Sequence, residues 1–324
     1  MPTSGFAARL NAFRAPGSDG LVAVTPADLV RRAATVEGLN EVDLNFPDHL
    51  DGSDARAMAR VLADVGLGLN GFAMRYYSDP AFKLGAFTHP DEAIRRKAID
   101  LTKAGLDALA EAGGRTMTLW LGQDGFDYPF QVDYSRLWEL EIAGIAEVCA
   151  HSPDLDISIE YKPNEPRAFC LLGDLGTTLL AIREVGAKNL GVTLDFAHVL
   201  YAGEQPGLSA ALAARSSRLL GVHLNDGYGK RDDGLMVGSV NATATVEFLY
   251  TLERIGYRGV LYFDTFPDAT GLDPVAECAH NIRTVKAMQG AVARLMATNA
   301  LAEALDRQDA VTGQRLVQTV LWER

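Results

Sequence analysis

Along the chain, short apolar runs alternate with longer stretches of helical periodicity. The runs are FAARLNAF (6–13), EVDLNF (41–46), GLGLNGFAM (66–74), TMTLWLG (116–122), DISIEYK (156–162), LGVTLDF (190–196), LLGVHLN (219–225) and GVLYFDTF (259–266). Between them lie amphipathic stretches such as TPADLVRRAATVEG (25–38) and DEAIRRKAIDLTKAGLDALAEAGG (91–114), which open near Ser, Thr or Asp and close near Gly. Those residues start and stop helices, because a short polar side chain caps free N–H groups and glycine accepts a left-handed backbone. Strand-length runs that are nearly continuously apolar predict a parallel sheet covered on both faces. Eight of them, each followed by a helix, predict an α/β fold: a single closed (β/α)8 TIM barrel over residues 1–290. An open doubly wound sheet is the alternative, but no G-x-G-x-x-G turn follows any run. From about residue 291 to 324 the pattern is a C-terminal helical extension with no strand to serve, expected to pack on another subunit.

Composition narrows the class of partner. With 48% apolar residues over 324 positions and a mean hydropathy of +0.02, the chain reads as a globular protein with a sizeable core. Its apolar runs stay far below the ~20 residues needed to span a bilayer, and no charged-then-apolar leader opens it, so the expected location is cytoplasmic. Cys149, Cys170 and Cys278 lack paired spacing and are read as reduced core residues. A net charge of −12 opposes phosphate backbones and anionic lipid, which excludes nucleic acid and membrane as expected partners. A small-molecule substrate and a homo-oligomer, dimer or tetramer, are expected instead.

In a barrel of this kind the active site forms where the strands end. The fifth run delivers Glu160 and Lys162, the sixth Asp195 with His198 one turn on, the seventh His223, Asn225 and Asp226 before a loop with Asp232 and Asp233, and the eighth Asp264. Any one of these is more often a cap or an ordinary polar residue. Four consecutive strands delivering carboxylates without a compensating Arg would repel one another unless a cation sat among them. Glu160, Asp195, His223 and Asp264 make a thiolate-free set of three carboxylates and one imidazole, which suits Mn²⁺, Mg²⁺ or Co²⁺ better than structural zinc, with Mn²⁺ first.

These residues carry a resemblance. EYKPNEPR (160–167) resembles the Glu-x-Lys-Pro-Asn-Glu-Pro-Arg signature of xylose isomerases, and the likeness extends over roughly residues 40–285. The stretch 81–125 is similar to that family's Phe-bearing loop, long helix and Trp-bearing strand end. LDFAHVLYAGE (194–204), GVHLNDGYGKRDD (221–233) and YFDTFP (262–267) follow in the family's order, with Asp-x-x-His at 195–198 and His-x-Asn-Asp at 223–226 closest to its L-rhamnose isomerase branch. The resemblance implies a metal-dependent aldose–ketose isomerase that works by a hydride shift between C1 and C2, and the lack of a Gly-rich or basic cradle after the seventh and eighth runs favours a small free sugar as substrate. It implies a tight metal site at Glu160, Asp195, His223 and Asp264, and a second site at the shared Asp195, His198 and Asp232. Lys162, His198 and Asp232 would be catalytic, Lys162 holding the developing oxyanion at O1, and Phe87, Trp120 and Asn225 would contact substrate. Glu165 and Arg167 are expected to form a surface ion pair that orients their loop. Two departures stand out. Gly234 lies where the family has a further carboxylate, so the second ion should bind more weakly. The second run ends in Phe46 where xylose isomerases carry a His, and His49 is a poor geometric substitute. A ketose 3-epimerase or a non-catalytic sugar-binding barrel are the rival readings.

Overall fold

The computed structural model describes residues 5–16, 20, 25–50 and 54–322. Each of the eight apolar runs becomes a strand: β1 (Phe6–Arg9), β2 (Glu41–Phe46), β3 (Gly68–Met74), β4 (Thr116–Leu119), β5 (Asp156–Glu160), β6 (Leu190–Asp195), β7 (Leu219–Leu224) and β8 (Leu261–Phe263). Every strand pairs in parallel with its neighbours in chain order, and β1 pairs with β8, which closes the barrel. Alternate residues face the barrel interior and the surrounding helices, so Val42, Leu44, Met117, Ile157, Ile159, Val192 and Leu194 are all buried. Asp43, Thr118, Ser158 and Thr193, which point the other way, are buried too, so both faces are covered while the runs alternate apolar and polar residues.

Seven of the eight strands are shorter than the runs that announce them. β1 stops at Arg9, where Leu10–Arg14 turns into a 3-10 helix, and β8 stops one residue before Asp264. The polar ends of the runs therefore project from the rim. Helix starts follow the capping chemistry: Thr25 and Asp28 form a capping box on the helix Pro26–Ala33, and the Asp91 and Asp174 side chains accept N–H bonds at the starts of Glu92–Glu111 and Leu175–Val185. Gly186, at φ +65, ends the last of these in the left-handed conformation.

A short antiparallel ribbon pairs Gly125–Phe126 with Phe169–Cys170, tying the segment beyond β5 to the loop beyond β4. A Cβ at Gly125 would come within 2.0 Å of the Phe169 carbonyl, so only glycine permits this approach. At the C-terminal end, the helix Pro274–Met296 runs unbroken through residue 290, and Ala300–Asp306 and Ala310–Trp322 fold back beside it. Leu301 and Ala304 are buried, whereas Val311 and Trp322 are exposed. Cys149, Cys170 and Cys278 are free thiols. No helix among the described residues is long and apolar enough to cross a membrane.

Candidate metal centre

Four consecutive strands bring one ligand atom each from Glu160, Asp195, His223 and Asp264 to within 4.8 Å of one another. The register explains the meeting: Asp195 and His223 sit directly opposite on β6 and β7, and Glu160 ends β5 beside Thr193. Asp195 also caps the helix Phe196–Tyr201 through the His198 N–H at 3.0 Å. Asn225 fixes that carboxylate, donating from Nδ2 to both of its oxygens at 3.1 and 3.0 Å and to the Asp264 carbonyl at 3.1 Å. Its own Oδ1 accepts from the Ala197 N–H at 2.8 Å. Fully buried and committed in this way, Asn225 orients the Asp195 carboxylate and does not line the cavity that opens on this cluster.

The electrostatics ask for positive charge. Burial works against an imidazolium at His223, yet Glu160, Asp264 and Asp195 together carry its pKa up to about 9. Burial likewise opposes charge at His198, and Asp195, Asp232 and Glu160 raise it to about 10. Asp195 and Asp264 are pushed up from the usual carboxylate range, chiefly by burial. Yet His223 Nδ1 and Asp264 Oδ1 are buried without a hydrogen-bond partner. Glu160 Oε1 lies 3.3 Å from that Nδ1, a charge contact without hydrogen-bond alignment. Four thiolate-free side chains converging from adjacent strands, two of them with an unsatisfied buried atom, fit a hard divalent cation.

A second polar group flanks the first. Asp232 Oδ2 lies 3.1 Å from both His198 Nε2 and Lys162 Nζ, and these two cations hold the Asp232 carboxyl down against its burial. His198 is turned by its Nδ1, 3.0 Å from the Tyr161 carbonyl, which leaves Nε2 toward Asp232. Lys162 also meets Glu165 at 2.9 Å and lies 5.1 Å over the Trp120 ring. Asp226 and Asp233 are occupied elsewhere. Asp226 accepts from the N–H groups of Gly227, Val240 and Asn241, and Asp233 from Tyr228 N and Arg231 Nε. Gly234 has φ +56, and a Cβ there would lie 2.3 Å from the Phe266 ring.

A cavity of about 250 Å³ opens on this cluster, with Trp120, Lys162, His198, Asp232 and Asp264 on its walls. Phe87 is not among them. It is buried in the core behind the rim, edge-on to Tyr76 at 5.8 Å and against Gly144, and the aromatic wall is instead Tyr77 with Trp120, ring centroids 5.6 Å apart. Arg167 does not pair with Glu165 at the surface. It is buried, bonded to Asp127 at 2.9 Å and to the Gln123 carbonyl at 3.2 Å, because the ribbon draws it inward. His49 bonds the Asn45 N–H and Asn11 and stands outside the cavity, while Phe46 stacks on Phe72.

Sequence reasoning missed Arg9, Asp43, Arg75, Tyr77 and Tyr262 in the cavity wall. The carboxylates do have a compensating Arg: Arg9 Nε is 3.4 Å from Asp264, and its Nη2 pairs with Asp268. Reading the first strand through to Phe13 hid the fact that it ends at Arg9. Asp43, paired with Arg9 in register, is carried up to about 6 by burial, offset in part by a 2.6 Å bond from Asn70. A larger cavity of about 760 Å³, lined by Tyr250, Leu295, Leu301 and Val317 among others, lies under the C-terminal helices and contains none of this chemistry.

The family model "Xylose isomerase-like TIM barrel" matches residues 30–288. The chain belongs to the xylose isomerase-like TIM barrel family. It is 30% identical over 215 residues to a xylose isomerase of Thermus thermophilus, covering 64% of this chain and 56% of that one, and 29% identical over a stretch of the same length to a xylose isomerase of Thermus caldophilus. The chain thus spans little more than half the length of these relatives. Among solved structures it is similar to an L-ribulose 3-epimerase (TM-score 0.68, 19% identity, 90% of this chain and 96% of that one). It is also similar to a D-allulose 3-epimerase from Methylomonas sp. (TM-score 0.68, 15% identity, 88% and 97%). At such identities the likeness is one of fold.

Proposed function

We propose that the chain is a divalent-metal-dependent aldose–ketose isomerase that moves a hydride between C1 and C2 of a small open-chain sugar. The observation that carries this reading is Lys162: an ammonium group buried at the cavity wall, beside the four-ligand cluster, held by Asp232 and Glu165 and lying over Trp120. A divalent ion on Glu160, Asp195, His223 and Asp264, with Mn²⁺ the first choice, would supply Lewis-acid polarisation of the sugar carbonyl. Burial opposes the charge on Lys162, but Asp232 and Glu165 raise its pKa, so it stays protonated and donates to O1 as negative charge develops there. In the balanced step the C2–H bond breaks, its electron pair forms the new C1–H bond, O1 gains a proton and the C2 hydroxyl loses one. Trp120 and Tyr77 cover the carbon chain and exclude water. His198, Asp232 and the shared Asp195 would hold a second ion weakly, because Lys162 already neutralises Asp232.

The test is product NMR on Mn²⁺-supplemented protein in deuterated water with unphosphorylated and phosphorylated C4 to C6 sugars. Hydride transfer predicts C1/C2 interconversion without solvent deuterium at the migrating position, whereas inversion with deuterium at C3 would make the chain a 3-epimerase. Lys162→Met should keep its metal while turnover falls about 10² to 10³-fold. Near-native turnover in that variant removes Lys162 from the chemistry.

A further inference from the structure

One cation at the rim has no assigned use. Among the described residues, each carboxylate lining the cavity has a polar or charged partner: Asn70 for Asp43, His198 and His223 for Glu160, Lys162 for Glu165 and Asp232, and Arg9 for Asp264. Arg75 has none. Its Nε is buried without a hydrogen-bond partner, its guanidinium makes no ion pair among the described residues, and it lies 5.4 Å over the Tyr77 ring. It follows β3 directly and is held there by its own N–H, 2.9 Å from the Phe46 carbonyl. Arg9, which ends β1, lines the same cavity, with its Nε 3.4 Å from Asp264 but out of hydrogen-bond line. Both guanidiniums line this cavity, so the two strands flanking β2 bring positive charge to it, across the barrel from Asp195 on β6.

A buried guanidinium N–H without an acceptor is unfavourable, and so is its charge without a counter-ion. The hydroxyls of a neutral sugar would satisfy the hydrogen bond and leave the charge. An anionic group would answer both. We propose that the substrate carries a carboxylate or phosphate that Arg75 receives, with Arg9 beside it. This deepens the isomerase reading and rests on it: the carbonyl end faces the metal ligands and Lys162, and the anionic end faces Arg75. A cavity of about 250 Å³ is below the ~300–1,000 Å³ of most ligand pockets, which limits the substrate to a compact sugar acid or sugar phosphate. A neutral free sugar was expected because no basic cradle follows the seventh and eighth strands; the arginines come from the first and third.

The experiment is calorimetric titration of the Mn²⁺-equilibrated full chain with two matched pairs, D-glucose against D-glucuronate and D-ribose against D-ribose 5-phosphate. We expect the charged member of at least one pair to bind ten-fold or more tightly, with the preference shrinking as NaCl is added. A preference in the first pair assigns a carboxylate, and in the second a phosphate. In Arg75→Gln the ratio of the two dissociation constants should fall toward one, and Arg75→Lys should retain part of it, since an ammonium keeps the charge and loses the planar fork. The wild-type comparison decides even if a variant folds poorly. No gain in affinity from charge in either pair overturns the proposal, as does a preference that survives in Arg75→Gln. Failure of the isomerase reading looks different: inversion at C3, or no C1/C2 product, with the charge preference intact.

Discussion

Asp264 is the residue on which two demands meet, since it offers an orphaned Oδ1 to the metal position and faces Arg9 at 3.4 Å. Asp264→Asn removes a charged ligand and leaves Arg9 with Asp268 alone. Mn²⁺ affinity should drop by an order of magnitude or more, and the rise in Tm on adding Mn²⁺ should shrink with it. Unchanged metal content in a titration would take Asp264 out of the ligand set. His49 makes a separate prediction, away from the metal. Burial, then Arg75, Arg14 and Arg9, lower its pKa from the ordinary value near 6.5 to about 3. Between those values the unfolded chain binds a proton that the native state refuses, so stability is lost as pH falls below about 6.5, by up to about 1.4 kcal/mol per pH unit. His49→Asn keeps an acceptor for the Asn45 N–H and cannot titrate. Denaturation curves at pH 6.5 and pH 4 should converge for this variant relative to the native protein; an undiminished acid slope would point to another group.

Among the elements, the loop between β7 and the following helix decides the second metal position. Asp226 and Leu235 form a paired bridge, and the Phe266 N–H donates to the Gly234 carbonyl at 2.9 Å, so the loop is tied at both ends to the rim. The missing carboxylate at Gly234 is therefore not a vacancy that substitution can fill. Gly234→Asp should destabilise the chain by about 1–3 kcal/mol, through a strained φ and contact with Phe266, without tightening a second ion. Gly234→Ala should lose similar stability, because the Cβ is the cause. Should Gly234→Asp instead fold normally and shift Mn²⁺ binding to lower concentration, the loop follows another path in solution.

At the scale of the whole molecule, the C-terminal helices divide their apolar residues between two fates. Leu301 and Ala304 are buried against the barrel, and Leu316, Val317, Val320 and Leu321 are partly covered, while Val311 and Trp322 face outward. We expect these outward residues to meet a second subunit. Sedimentation should report a dimer or tetramer that Val311→Asp shifts toward monomer; a monomeric native chain at micromolar concentration would refute it.

The strands, and the meeting of Glu160, Asp195, His223, Asp264 and Lys162 at one rim, were legible because each depends on local chemistry: recurring apolar residues in a short run mark a buried strand, and a parallel barrel sets all strand ends of one kind on the same rim. The positions of Phe87, Asn225 and Arg167 were not, since whether a side chain meets the cavity or the core depends on strand register and on the ribbon at Gly125, and neither is written in spacing. Arg9 and Arg75 lay hidden for a related reason. Their charge is visible in any sequence, but only closing β1 against β8 and setting β3 beside β2 brings those two cations to the rim that the acidic strands share.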